Sequence, residues 1–129
     1  MIDVSDRVFS NIKKKVSTMC TNVQADATKT PAIFPALSVV QIDNADVALD
    51  LEISENAISS VIEIQSYSNI GIHEAKKLIN MACDGMRIMG YVRTYGPREI
   101  ENPVDVNVKR MVARFSRIVG AGEEIEKIV

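Results

Sequence analysis

The segment at residues 57–66, AISSVIEIQS, restricts the possible folds of this chain more than any other stretch. Its side chains alternate in character, so an extended chain would have one apolar face and one mixed face. The first face would carry Ile58, Ser60, Ile62 and Ile64, and the second Val61, Glu63 and Gln65. This pattern is typical of a strand in an antiparallel sheet that is covered on one side. The segment therefore predicts such a sheet.

Two other segments repeat apolar residues every three or four positions, which is the spacing of an amphipathic helix. They cover residues 4–23 and residues 72–90, and Gly90 is a suitable stop for the second. The predicted buried stripes are Val4, Val8, Phe9, Ile12, Val16, Met19, Cys20 and Val23 in the first helix, and Ala75, Leu78, Ile79, Ala82, Met86 and Met89 in the second.

The remaining strands are less regular. Residues 36–43 follow a proline-containing loop at 24–35 and are rich in β-branched residues, so we expect a strand there. Residues 51–53 are either the end of that hairpin arm or a short strand of their own. Residues 91–95 predict a short strand that Gly96 and Pro97 should end.

The longest strand pattern runs over residues 104–119. Its apolar residues change faces near Arg110, as expected from a bulge or from a strand that moves between two packing environments. The order of elements is thus helix, strands, helix, strands. It predicts an α+β fold, with a mainly antiparallel β-sheet and two amphipathic helices packed on one face.

The size of the chain, 129 residues, predicts a single domain that spans 1–129. Residues 121–129 form a short charged tail that we expect to be flexible. No apolar run approaches the ~20 residues that cross a membrane. The N-terminal segment is charged throughout and lacks the apolar centre of a signal peptide. We therefore expect no membrane partner.

We find no catalytic, metal or cofactor motif in the sequence. The one histidine, His73, lies near a predicted helix start, where an exposed histidine is usually a surface residue. Cys20 and Cys83 fall on or beside apolar helix faces and are expected to be buried, reduced thiols. The glycines form no dinucleotide-binding or phosphate-binding loop. The sequence therefore favours a protein that is not an enzyme.

Charge is unevenly distributed along the chain, although the net charge is only −2. Every charged residue from Asp43 to Glu63 is acidic, whereas basic residues dominate from Arg87 to Arg117. Acidic and basic surfaces on one domain can meet in a head-to-tail contact, which makes a ring when the rotation closes. The predicted interface residues are Asp43, Asp46, Asp50, Glu52, Arg93, Arg98, Arg110, Arg114 and Arg117.

The order of elements resembles the phage tail terminator and tail completion proteins, which act at the head-tail neck. An amphipathic helix leads through a proline loop into ALSVVQID, and AISSVIEIQSYSN is followed directly by the helix HEAKKLINMACDGMRIMGY. The strand VKRMVARFSRIVGAGE then comes last, with alternating arginine and apolar residues. The likeness covers nearly the whole chain but is one of pattern, without a signature motif.

This resemblance implies a virion structural subunit that assembles in the host cytoplasm into a hexameric ring. Such a ring ends the tail tube and joins it to the head connector, so the tail tube protein and the connector protein are the implied partners. DNA would pass through the lumen with transient, non-specific contacts. Two alternatives stay open: another phage neck or minor tail protein, and an unrelated small α+β binding domain that dimerises through a sheet edge.

Overall fold

The computed structural model describes residues 4–25, 34–49, 55–100 and 108–120, and for residues 44–49, 55 and 56 only the backbone. The helices are α1 (Ser5–Lys15) and α2 (Ile72–Ile88). The strands are β1 (Asn22–Gln24), β2 (Ala36–Leu49), β3 (Glu55–Ser68), β4 (Val92–Ile100) and β5 (Lys109–Gly120). The predicted segments 51–53, 104–107 and 121–129 lie outside the described residues.

The strands form one five-stranded sheet in the order β1-β2-β3-β5-β4. The pairs β2–β3, β3–β5 and β5–β4 are antiparallel, and only β1 runs parallel to its neighbour β2. The predicted α+β class and the mainly antiparallel sheet are confirmed. The sheet is mixed because β1, which the sequence did not predict, adds a parallel edge.

Both helices contribute to one hydrophobic core on one face of the sheet, here called the covered face. Strand β3 supplies its isoleucines to this core, as its alternation predicted. All apolar residues of the two predicted stripes are buried in this core, except Val4, Phe9 and Met19, which pack against it. We call the opposite side of the sheet the open face.

Helix α1 ends at Lys15, eight residues before the predicted end at Val23. A turn follows at residues 16–19, where the Ser17 hydroxyl donates to the carbonyl oxygen of Lys14 at 2.8 Å. Side-chain hydrogen bonds of this kind compete with the helical pattern. The chain stays on the core after the helix ends, so the apolar positions were predicted correctly and the helix length was wrong.

Strand β4 continues through Gly96 and Pro97, which the sequence predicted to end it. Its pairing with β5 shifts in register between Tyr95 and Arg98, so Gly96 and Pro97 form an irregularity inside the strand. Gly96 has φ +73°, and a Cβ there would collide with the carbonyl oxygen of Val112. Because β4 is an edge strand, a proline without an N–H can be placed in it.

Strand β5 pairs with β3 over its full described length without a register shift. Its Met111, Ala113 and Phe115 enter the main core, whereas Val108 joins a small cluster with Ala36, Tyr67 and Phe34. The described part of the long strand therefore contains no bulge against β3. The second interpretation of its pattern, a strand that moves between two packing environments, agrees with these two clusters.

The start of α2 is held to the end of β3 by Ser68. The Ser68 hydroxyl donates to a Glu74 carboxylate oxygen at 2.8 Å and accepts from the backbone N–H groups of Ile70 and Gly71 at 3.1 and 3.3 Å. Ile70 and Gly71 lie in the short connection before α2, and Glu74 lies in the first turn of the helix. Ser68 therefore ties the end of β3 to the connection and to the first turn of α2.

Candidate subunit interface

The residues predicted to form an interface are spread over three strands. Asp43 is exposed in β2, and Asp46 lies further along β2 opposite Ile58. Asp50 and Glu52 lie outside the described residues. The arginines fall on the neighbouring strands β4 (Arg93 and Arg98) and β5 (Arg110, Arg114 and Arg117).

Arg114 is engaged on the open face within its own chain. Its Nε donates to a Glu63 carboxylate oxygen at 2.7 Å, across the β3–β5 pair. Its guanidinium also lies 5.4 Å from the centre of the Tyr95 ring, so it bridges to β4. The Arg114 side chain is 49% exposed and that of Glu63 is 15% exposed, so water screens the ion pair only in part.

A chain of hydrogen bonds extends this contact along β3. The Gln65 amide donates to Glu63 at 2.6 Å, and the Tyr67 hydroxyl donates to the amide oxygen of Gln65 at 2.9 Å. Burial raises the pKa of Tyr67, and the Arg110 guanidinium opposite it on β5 lowers that pKa in part. This side of β3 and β5 therefore carries a polar network, in which Gln65 and Tyr67 are buried and Arg114 is half-exposed.

Arg117 lies on the covered face instead. Its guanidinium donates to the carbonyl oxygen of Met89 at 2.8 Å, just beyond the end of α2. A cation at this position satisfies a carbonyl without an intrahelical partner and interacts favourably with the helix dipole. Arg114 and Arg117 are thus both engaged inside the chain, on opposite faces of β5.

Arg93 and Arg98 are both exposed on β4. Arg93 pairs with Phe115 and lies on the covered face, whereas Arg98 pairs with Val112 and lies on the open face. Among the residues that the structure describes, neither makes a hydrogen bond or an ion pair. Of the predicted basic interface residues, these two are the most available to another molecule.

Two edges of the sheet are without a neighbouring strand among the described residues. Strand β4 pairs with β5 on one side only. Strand β2 pairs with β1 only at residues 36–38, so residues 39–49 have β3 on one side and no strand on the other. Unpaired edges expose backbone N–H and C=O groups that can add another strand.

A groove of about 520 Å³ lies between the end of α2 and β4. Its lining residues come from both elements, the connection between them and the neighbouring strand: Cys83, Arg87, Tyr91, Val92, Arg93 and Phe115. Burial raises the pKa of the Cys83 thiol from 9.0 to about 11, and the positive charge of Arg93 limits the rise. Sequence reasoning missed this groove, although Cys83 and Arg87, one helical turn apart, border the predicted stripe.

The residues considered for chemistry lie apart. His73 is exposed in the first turn of α2. Cys20 and Cys83 are both buried with free thiols, as predicted, and the Cys20 thiol donates to the Pro35 carbonyl oxygen at 3.3 Å. Within the described ranges, no three potential metal ligands come together. None of the helices in those ranges is long and apolar enough to cross a membrane.

No model of a known protein family matches the chain, and no curated protein sequence matches it.

Proposed function

We propose that this chain is a non-enzymatic structural subunit of a phage tail, which forms a ring that ends the tail tube and joins it to the head connector. The observation that supports this proposal is the opposite charge of the two sheet edges that have no neighbouring strand in the described part of the chain. The β4 edge presents the exposed Arg93 and Arg98, and the β2 edge carries Asp43 and Asp46.

Opposite edges of unlike charge favour a head-to-tail contact over a symmetric one. If β4 paired with β4 of a second copy, two edges with a net positive charge would face each other, each with Arg93 and Arg98 against one Glu99. If it meets the β2 edge of the next copy, cations face carboxylates, which speeds encounter and fixes orientation. Each subunit then offers one edge of each kind, and repeated heterologous contacts make a ring when the rotation between subunits closes.

The open face gives such a ring a surface suited to DNA in its lumen. Arg98, Arg110 and Arg114 lie on this face of β4 and β5, with the half-exposed Tyr95 beside Arg114. These cations are interspersed with Glu63 and the amide of Gln65, so the face is only moderately positive. Contact with phosphates would be weak, salt-dependent and independent of sequence. The tail tube and connector proteins are the proposed partners, and the virion is the proposed location.

Two alternatives share this architecture. Another phage neck or minor tail protein would assemble similarly and differ in its neighbours. A small dimeric binding domain would use one sheet edge symmetrically.

The test is the mass of the purified protein by light scattering, at low and moderate salt, with and without tubes of the tail tube protein. We expect a ring, or a monomer that becomes a ring on the tubes, and we expect salt to weaken it.

The variant Arg93→Glu/Arg98→Glu should remain folded and lose assembly. The matched control is Lys76→Glu/Lys77→Glu, with the same charge change on exposed residues in the first half of α2. A tight dimer that is insensitive to salt and tubes would refute the proposal.

A further inference from the structure

We propose that the groove between α2 and β4 binds the β2–β3 connection of a second copy, residues 49–55. This inference rests on the proposed self-assembly and specifies its contact. It assigns the basic side of that contact to Arg87 and Arg93, because Arg114 and Arg117 are engaged inside their own chain.

The groove combines an apolar floor with a basic rim. Phe115 and Cys83 are buried at its base, and Val92 beside them is 66% exposed. Arg87 and Arg93 are exposed at its edges, one on the helix and one on the strand. Arginine side chains can lie along an apolar surface while their charged ends contact a ligand. A ligand for this groove needs apolar side chains for the floor and carboxylates for the rim.

The sequence at the β2–β3 connection has both features. Leu49, Leu51 and Ile53 alternate with Asp50 and Glu52. Leu49 and Glu55 pair at the ends of β2 and β3, and the apolar and acidic side chains follow one another over residues 49–53. The segment also lies within the run from Asp43 to Glu63, in which all six charged residues are acidic. The segment therefore supplies both the carboxylates and the apolar side chains that the groove requires.

The geometry requires that the two elements meet between copies. Strands β2 and β4 are separated by β3 and β5. Three strand spacings amount to about 14 Å, so Leu49 at the end of β2 lies across the width of the sheet from the groove of the same chain. The groove and the start of β3 lie toward the same end of the sheet. Val92, which lines the groove, pairs with Ser116, and Ala57, near the start of β3, pairs with Gly120, and both partners are near the end of β5. A neighbour displaced sideways along the sheet places its connection at the groove.

The first test uses a fluorescent peptide of residues 45–55, ADVALDLEISE, titrated with the full chain and followed by anisotropy. We expect binding that salt weakens and that Arg87→Glu/Arg93→Glu reduces at least about tenfold. Lys76→Glu/Lys77→Glu is the matched control, with the same charge change on exposed residues near the other end of α2, and it should bind as the wild type does. A peptide with Asp50→Lys and Glu52→Lys should lose binding to the wild type and bind the Arg87→Glu/Arg93→Glu chain.

The second test uses intact chains with complementary charges. A chain with Arg87→Glu/Arg93→Glu and a chain with Asp50→Lys/Glu52→Lys should each fail to assemble alone and should assemble when mixed.

Failure of the peptide to bind, or equal loss with the lysine control, would overturn the groove assignment. If a chain with Arg87→Glu alone, which leaves both β4 arginines in place, assembles on tail tubes as the wild type does, the groove is refuted and the tail proposal stands. If the peptide binds but no ring forms under any condition, the tail proposal fails and the groove stands.

Discussion

Strands β4 and β5 lie side by side and both carry arginines, but these arginines have different surroundings. On β5, Arg114 pairs with Glu63, and Arg117 holds the carbonyl oxygen of Met89. On β4, Arg93 and Arg98 project from an edge strand and make no such contact among the described residues. The same residue type thus stabilises the fold on the inner strand and is available to a partner on the edge strand.

The difference follows from position in the sheet. A strand with neighbours on both sides and helices on one face places most of its side chains next to fixed groups, although Ile118 of β5 is 63% exposed, so a cation there can find a partner. An edge strand leaves long side chains beside solvent. Substitutions in β5 should therefore affect folding, whereas substitutions in β4 should affect association.

Core packing provides the largest test of this contrast. Phe115 of β5 is 0% exposed and Val92 of β4 is 66% exposed. We expect Phe115→Ala to lower the free energy of unfolding by about 3–5 kcal/mol, since it leaves a cavity under α2. Val92→Ala should change it by less than about 0.5 kcal/mol. Urea denaturation of both variants measures the difference. Similar losses of unfolding free energy would contradict the contrast between β5 and β4.

The next largest effect concerns single arginines. Arg117→Ala should lower the free energy of unfolding by about 1–2 kcal/mol, because the Met89 carbonyl loses a charged donor near the end of α2. Arg93→Ala should cost less than about 0.5 kcal/mol. Thermal denaturation gives both values, and Arg117→Lys, which keeps the charge without the guanidinium geometry, should fall between wild type and alanine. If Arg93→Ala lowered the free energy of unfolding as much as Arg117→Ala, the arginines of β4 would also stabilise the fold.

A smaller effect is expected for the ion pair on the open face. The coupling energy between Glu63 and Arg114, from a double-mutant cycle with Glu63→Gln and Arg114→Ala, should be about 0.5–1 kcal/mol. Partial exposure and salt both limit it, so it should fall as ionic strength rises. Tyr95→Leu should remove the ring contact with Arg114 and reduce the same coupling. A coupling energy of zero would indicate that Arg114 is as free as the β4 arginines.

The Cys83 thiol gives the smallest effect at neutral pH, since it is protonated there in both the folded and the unfolded state. Its pKa is raised by burial from 9.0 to about 11. Above pH 9 the unfolded state loses this proton first, so stability should fall between about pH 9 and pH 11. The variant Cys83→Ala should show a shallower fall over that range in urea titrations. The same slope in both proteins would contradict a raised thiol pKa.

Burial should also slow alkylation of Cys83 by iodoacetamide at pH 8, because the thiolate is the reactive form. Arg93 is the strand residue whose charge limits the rise of this pKa. Arg93→Ala should therefore slow the reaction further, and faster alkylation in this variant would contradict that role.

The secondary structure was predictable where periodicity persists over many residues. The apolar stripes of both helices and the alternation of β3 identified the core correctly. The length of α1 was not predictable in this way, because apolar spacing continues through the turn at residues 16–19 and into β1. Strand β4 was predicted too short, since an irregularity accommodates Gly96 and Pro97 at a sheet edge.

The candidate interface was predictable only as a distribution of charge. Sequence reasoning grouped the arginines of β4 and β5 together, because position along the chain does not show which carbonyl or carboxylate lies opposite each one. Glu63, which pairs with Arg114, is 51 residues away in sequence. Arg87 was not among the predicted interface residues, because its role depends on the groove that α2 forms with β4.

The amino-acid sequence by itself determined the α+β class, the buried faces of the helices and of β3, and the separation of acidic and basic segments. These properties follow from local periodicity and composition, which a single segment contains. The tertiary structure alone decided which arginines are engaged, which sheet edges lack a neighbouring strand and where a groove forms. These properties depend on distances between segments far apart in the chain, and only packing of the sheet and helices sets those distances.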